Sequence, residues 1–272
     1  MYKRQQQNKI DQILISLPYE YNELINELLK IAENNLIRVH IIPYFSNYFQ
    51  SLFSIEYLGT IPVLTLRDEP LKKITNRILK RTVDIIISVF LIIFVFLWLF
   101  PIIILLILKD SKGPIFFVQK RTGKDGREFN CYKFRSMKVN SESNIKQAIK
   151  GDSRITNIGK ILRKTSLDET PQIFNVLQNN MSIVGPRPHM LKHTDEYKKI
   201  IDKFMVRHFA KPGITGWAQI NGLRGETKKI IEMEKRVEAD IWYIENWSFF
   251  LDIKIIFSTI ILILFKKDTN AY

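Results

Sequence analysis

An adjacent acidic pair, Asp168 and Glu169, lies in the stretch RKTSLDETPQIFNVLQNNMSIVGPRP, Arg163 to Pro188, with arginines on both sides. Two neighbouring carboxylates suit a site in which one attacks an electrophilic phosphorus and the other holds a metal that neutralises phosphate oxygens. Arg163 and Arg187 carry the planar fork that grips the same anions at two points. A second reading is compatible with the first. Ser166-Leu167-Asp168-Glu169 has the spacing of a capping box, in which Ser166 caps a helix and Glu169 reaches back to it. The unpaired N–H groups of that helix end would then face a phosphate. Pro171 fits the first turn, and Ile173, Phe174, Val176 and Leu177 continue as a buried face. In Gly185-Pro186-Arg187-Pro188 two prolines fix the backbone around one arginine, which lowers the entropy lost when it binds an anion; the same residues also make an ordinary rigid turn.

Such a site must be placed against its substrate, and the apolar run Ile85 to Leu108 suggests a lipid surface. It is long enough to cross a bilayer, for which ~20 residues suffice, so a spanning helix is the simplest reading. Lys80 and Arg81 precede it, however, and Lys109, Lys112, Lys120 and Arg121 follow, so both ends favour the cytoplasmic side. Pro101 removes a backbone donor two-thirds of the way along. A bent helix that enters one leaflet and returns accounts for both features, with Asp84 and Asp110 near the headgroups.

The chain around this run divides into recognisable pieces. Upstream, Ile13 to Leu17, Ile37 to Ile42 and Ile61 to Leu66 read as strands, and Tyr21, Leu24, Ile25, Leu28, Leu29 and Ala32 recur at helical spacing. This is βαβ material without a GxGxxG turn, too short for a full doubly wound sheet; it reads as the latter part of a domain, whose exposed sheet edge is expected to seek a partner. Downstream, Ile115 to Lys120 and Glu128 to Phe134 alternate around Gly123-Lys124-Asp125-Gly126 as a hairpin. Lys120, Arg121, Lys133 and Arg135 collect at its ends, as a headgroup or diphosphate surface or as solvated edge charges. Arg154, in GDSRITNIG, reads equally as an anion ligand or an ion-pair partner. The segment KPGITGWAQINGLRGET is a candidate sugar or base pocket, with Trp217 either stacked on a ring or in the core. Residues 226–245 are predicted helical. Ile255 to Phe265 would reach only ~16 Å as a helix against ~30 Å of hydrocarbon, so it is expected to lie in the interface.

Composition narrows the class. With 41 Lys and Arg against 27 Asp and Glu, the formal charge is +14, which favours a polyanionic partner, and the apolar run favours lipid over nucleic acid. No zinc-finger, basic-zipper or RNP pattern is present. GxxxxGK[ST], HExxH and GxSxG are absent, which removes the usual ATPase, zinc-protease and lipase readings. The one cysteine, Cys131, excludes an internal disulfide and reads as a buried strand residue. The first residues have no secretory-signal pattern. An inactive membrane-anchored scaffold or binding protein is the alternative to an enzyme.

Together KRTVDIIIS, DSKGPIFFVQKRTGKDG, KFRSM, the RKTSLDETPQIFNVL block, MSIVGPRP and HFAKPGITGWAQINGLRGET, running in order from Lys80 to about Asp252, resemble the bacterial sugar transferases, or monotopic phosphoglycosyl transferases. The closing GLRGET looks most like the branch that loads glucose phosphate onto undecaprenyl phosphate at the start of exopolysaccharide, capsule or O-antigen synthesis. The resemblance implies an α+β monotopic membrane protein: a partial Rossmann-like segment (1–66), a linker (67–81), a re-entrant helix (82–110) and a catalytic domain (111–272) ending in an interfacial helix. It implies that Asp168 attacks a UDP-sugar, releasing UMP, and that undecaprenyl phosphate takes the phosphosugar. Glu169, with Asp168, would place Mg²⁺. Arg187, between Pro186 and Pro188, matches the arginine of the family's PRP loop, and Arg154, Arg163 and Arg207 occupy further basic positions. The implied location is the cytosolic face of the bacterial inner membrane, in contact with phospholipid, and a homo-oligomer is compatible with it. One departure is Phe100, where many relatives have serine before the membrane proline.

Overall fold

A computed structural model describes residues 12–15, 19–34, 38–41, 54–58, 61–65, 69–139, 152–225 and 229–265. The chain forms two units, residues 1–67 and 68–272.

In the first unit, β1 (Gln12–Ile15) and β2 (Arg38–Ile41) pair in parallel, with Ile13 opposite Val39, around α1 (Asn22–Asn34). This is the expected βαβ step. Ala32 and Ile15 are buried, whereas Tyr21 and Leu24 are exposed. The third expected strand does not extend that sheet. It is β4 (Ile61–Thr65), antiparallel to β3 (Ser54–Leu58) in a separate two-stranded sheet. Two residues separate these strands, enough for a hairpin and far too few for a parallel crossover. The predicted strand ends at 16–17, 37, 42 and 66, residues 226–228 of the predicted helix, and the residues at 140–151 lie outside the described residues.

The second unit opens with α2 (Ile74–Asp110), the one helix among the described residues long and apolar enough to cross a membrane. It starts eight residues before the expected linker ends, because its basic residues find partners on the folded body. Arg81 donates to the carbonyls of Val176 (2.6 Å) and Leu177 (2.8 Å). Lys80 Nζ lies 2.6 Å from the Asp252 carboxylate and donates to Tyr243 Oη at 3.1 Å. Tyr243 Oη and Trp247 Nε1 also donate to Asp252, at 2.8 and 3.0 Å. Lys80 and Asp252 are both about nine-tenths buried. Removing one partner strands the other charge, so Lys80→Met is expected to cost about 3 kcal/mol, read as a lower thermal midpoint in detergent.

A π turn, Ile92–Phe96, interrupts α2 shortly before Pro101. Both features loosen the regular ladder at one level of the helix. Phe100 is buried there, its ring 4.8 Å from Phe96 and edge-on to Phe134 at 4.9 Å. Both ends of the apolar run dock on the same body. Asp84 accepts from Ser182 Oγ (3.0 Å) and the Ile183 N–H (2.9 Å), and Asp110 accepts from the Ile158 N–H (3.0 Å). One side of α2 stays bare, including Ile86, Phe94, Trp98 and Leu105.

The hairpin forms as expected: β5 (Phe116–Thr122) and β6 (Glu128–Phe134), with Cys131 buried on β6. α3 (Asn157–Thr165), capped by Thr156, leads to the acidic pair, and α4 (Gln172–Leu177) follows it. Ile173 and Val176 face the core, while Phe174 is partly exposed against Phe100. β7 (Ser182–Val184) pairs in parallel with β8 (Gly213–Thr215). At the end of this pair the backbones of Gly185 and Gly213 meet so closely that a Cβ on Gly213 would come within 2.1 Å of the Gly185 nitrogen, which requires glycine. α5 (Leu191–Tyr197), the short α6 (Trp217–Ile220), α7 (Ile230–Glu245) and α8 (Phe249–Leu264) complete the fold.

α8 begins six residues before the expected stretch, capped by the Ser248 hydroxyl at the Leu251 N–H. Its 16 residues span ~24 Å, still short of ~30 Å of hydrocarbon. Phe250, Phe257 and Phe265 are exposed, and Ile255 is buried.

Candidate active site

The acidic pair occupies a 3₁₀ turn, Leu167–Glu169, between α3 and α4. Ser166 makes the sharp entry, with φ +59° in the left-handed region that non-glycine residues avoid. This corrects the capping-box reading. The Ser166 side chain caps no helix; its hydroxyl accepts from Arg224 Nη2 at 2.7 Å. Pro171 immediately precedes α4, whose six residues follow the turn.

Glu169 is drawn elsewhere by stronger partners. Arg187 Nη1 donates to Oε2 at 2.9 Å and Nη2 to Oε1 at 2.5 Å, while Lys133 Nζ donates to Oε1 at 2.7 Å. Charge-assisted bonds of this kind outweigh a neutral backbone cap. Asp168 is buried as deeply, yet its carboxylate makes no hydrogen bond or ion pair among the described residues.

The two acids therefore titrate in opposite directions. Burial, then the negative charge of Glu169, raises Asp168 to about 6, against the pull of Lys133, Arg163 and Arg187. Burial also pushes Glu169 upward, but Arg187 and Lys133 outweigh it and hold this carboxyl well below its ordinary value. The same ion pair raises Arg187. Near neutral pH the turn thus holds a compensated carboxylate beside one whose lone pairs are uncommitted.

Arg163 belongs to this setting: its Nε donates to Ser136 Oγ at 2.8 Å and its charge acts on Asp168. Arg187 sits between Pro186 and Pro188 on the loop that follows β7. Arg154 is held by the Asp152 carboxylate, with Nη2 to Oδ2 at 2.7 Å. Arg207 lies beneath the Arg187 loop, ion-paired with Asp240 at 2.6 Å. Trp217 stacks on Trp242 with ring centroids 4.5 Å apart, and Lys254 lies over its ring.

Two nearby cations were missing from the residue set suggested by sequence, Lys133 and Arg224. Lys133 was visible only as one of several charges at a hairpin end. The β6 register puts it opposite Phe117 and brings its ammonium to Glu169. Arg224 lies in the GLRGET segment, and its bond to Ser166 marks it.

A buried carboxylate with cations around it thus lies within the ordered motifs, and comparison with known proteins identifies the family those motifs resemble. The profile of the bacterial sugar transferases matches residues 75–266. The chain belongs to the bacterial sugar transferase family. Among curated relatives, this sugar transferase is 43% identical to the UDP-glucose:undecaprenyl-phosphate glucose-1-phosphate transferase of Xanthomonas campestris pv. campestris, over 96% of the chain and 54% of the relative. The protein of the same description from Klebsiella pneumoniae is 44% identical over 92% of the chain and 54% of its own length. The undecaprenyl-phosphate galactose phosphotransferase of Salmonella typhimurium is 34% identical over 97% and 57%. The chain thus spans about half the length of these relatives.

Proposed function

We propose that this sugar transferase moves a hexose 1-phosphate from a UDP-sugar to undecaprenyl phosphate, releasing UMP, through a phosphosugar carried on Asp168. The observation that carries the reading is the asymmetry of the acidic pair: Glu169 is ion-paired with Arg187 and Lys133, while Asp168 is buried without a partner among the described residues. In the first step an Asp168 oxygen bonds the sugar-proximal phosphorus as the bond to the bridging oxygen breaks, and UMP leaves with that oxygen. In the second, an oxygen of undecaprenyl phosphate bonds the same phosphorus, and the Asp168 carboxylate departs. Splitting the transfer in this way requires a nucleophile ionised at working pH and cations that neutralise the phosphoryl oxygens. Lys133, Arg163 and Arg187 supply the second requirement. The relatives' names support the donor and acceptor, glucose or galactose being the favoured sugars.

The residues present also suit Mg²⁺. Among the described residues no group of three acids, histidines or cysteines forms a cage. Mg²⁺ commonly takes one or two carboxylates and completes its shell with substrate phosphates and water; the Asp168 carboxylate and Glu169 Oε2, which accepts a single donor, would offer those hard oxygens. When bound there it would offset the negative charge of a diphosphate approaching Asp168.

The direct test is UMP release from UDP-glucose and UDP-galactose by the chain in lipid nanodiscs, with and without undecaprenyl phosphate. No UMP with either donor would overturn the reading. Because Asp168 attacks only when ionised, kcat/KM is expected to rise with pH through about 6 and level off above it. A profile flat from pH 5 to 8 would contradict the role given to Asp168.

The membrane reading extends this. Asp84 and Asp110 are 26 positions apart, ~39 Å along a regular helix, yet both bind the same catalytic body. A straight spanning helix would put them on opposite sides of the hydrocarbon. Docking of both ends on one body supports a helix that enters and leaves the cytosolic face, its bare side and the exposed phenylalanines of α8 resting in phospholipid. Cysteines placed at Arg77 and Lys112 are expected to react with an impermeant maleimide from the cytosolic side alone. Labelling of the two from opposite sides would establish a spanning helix instead.

A further inference from the structure

The Arg187 loop has few hydrogen-bond donors of its own, because Pro186 and Pro188 have no N–H. Four successive carbonyls are nevertheless held from outside it. Pro186 O accepts from the Gly213 N–H at 2.9 Å, and His189 O from the Thr122 N–H at 3.2 Å. Pro188 O accepts from Arg121 Nη1 at 3.3 Å, and Arg187 O from Arg207 Nη2 at 2.8 Å. Arg207 is 1% exposed, which keeps it from touching a ligand. Its counter-charge is Asp240 of α7, itself 2% exposed, and its Nη1 lies 2.9 Å from the ring nitrogens of His189.

A buried ion pair is a poor choice for stability alone, since apolar residues of similar volume often serve as well or better. What apolar residues cannot do is donate to a backbone carbonyl. We propose that the Arg207–Asp240 pair is a positioning device for Arg187: it fixes the Arg187 carbonyl and so aims the guanidinium at Glu169 and the phosphoryl group. Asp240 orients Arg207, Arg207 holds the backbone, and Arg187 alone meets the substrate. The catalytic part of this inference rests on the proposed reaction; the grip on Arg187 does not.

Three variants separate positioning from stability. Arg207→Met leaves the buried Asp240 without its ion-pair partner, with Arg236 as a remaining positive neighbour, and is expected to be less stable. Arg207→Met with Asp240→Leu removes both charges and is expected to regain most of the thermal midpoint. Arg207→Lys keeps the pair, but a single ammonium cannot replace the fork that joins Asp240, His189 and the Arg187 carbonyl. It serves as the folded variant if the double variant fails to fold.

The first readout is modification of Arg187 by phenylglyoxal in the detergent-solubilised chain, followed by peptide mass spectrometry. It needs no turnover. A rate at least about threefold above wild type is expected in the folded variants, as the guanidinium loses its fixed place. An unchanged rate overturns the proposal, whatever reaction the protein performs. The second readout is UMP release. About a 10²-fold loss of kcat/KM is expected in the double variant despite its recovered midpoint. In an Arg187→Ala background the same changes are expected to alter the rate less than twofold, because residues acting through one group are not additive. Recovery of activity along with stability, or equal losses in both backgrounds, overturns the positioning role. Absence of UMP release by wild type would refute the reaction, and the phenylglyoxal rates would still decide the grip.

Discussion

Replacing Asp168 by asparagine is expected to reduce UMP release by at least about 10³-fold while the protein stays folded. The amide keeps the shape of the side chain but is a poor nucleophile, and no hydrogen bond of the carboxylate is lost, because it makes none among the described residues. The effect on stability has a definite sign. Burial raises the folded-state titration of Asp168 to about 6, above its ordinary 3.8, so the folded protein holds this proton more tightly than the unfolded chain. The associated stability is fully present below the unfolded value and is lost as pH rises through about 6. At pH 7.5 the ionised acid is therefore a cost that asparagine removes, and the thermal midpoint of Asp168→Asn should match or exceed that of wild type. Mass spectrometry supplies the chemical half of the test. Wild type mixed with a UDP-hexose and no lipid acceptor should gain one hexose phosphate on the peptide containing Asp168, and the asparagine variant none. Wild-type turnover in the variant would remove Asp168 from the mechanism.

Patterns set by nearest neighbours were the most legible in the sequence. The β5–β6 hairpin follows from alternation around Gly123 to Gly126, the β1–α1–β2 step from its change of period, and the apolar course of α2 from composition. Competition between local and distant partners was not legible. Ser166 and Glu169 have the spacing of a capping box, but only the folded chain brings Lys133 from β6 and Arg187 from the proline loop to Glu169, leaving the hydroxyl to Arg224. Arg207 shows the same limit. By type and position it belongs with the anion ligands, and its burial against Asp240 depends on how α7 packs. The early starts of α2 and α8 come from anchors distant in sequence or at the helix cap: Lys80 with Asp252, and Ser248 at the first turn of α8.

Arg187→Ala is expected to lower kcat/KM by about 10²- to 10³-fold, the range typical for losing one preorganised donor to a developing oxyanion. Two effects combine in that loss. In the proposed reaction the phosphoryl oxygens lose a neighbouring cation, and among the described residues Glu169 keeps Lys133 as its charge-assisted partner. Arg187 is also among the cations that pull the Asp168 titration down, so its removal should move the acid limb of the pH profile above about 6. Arg187→Lys separates the two. An ammonium at this position restores the positive charge and should return the acid limb toward its wild-type place. It cannot reproduce the parallel N–H pair that meets Glu169 at 2.9 and 2.5 Å, so the rate should remain depressed. Measuring kcat/KM against pH for wild type and both variants distinguishes charge from geometry. Full activity in the lysine variant would show that charge alone suffices, and an alanine variant within about threefold of wild type would exclude Arg187 from transition-state stabilisation.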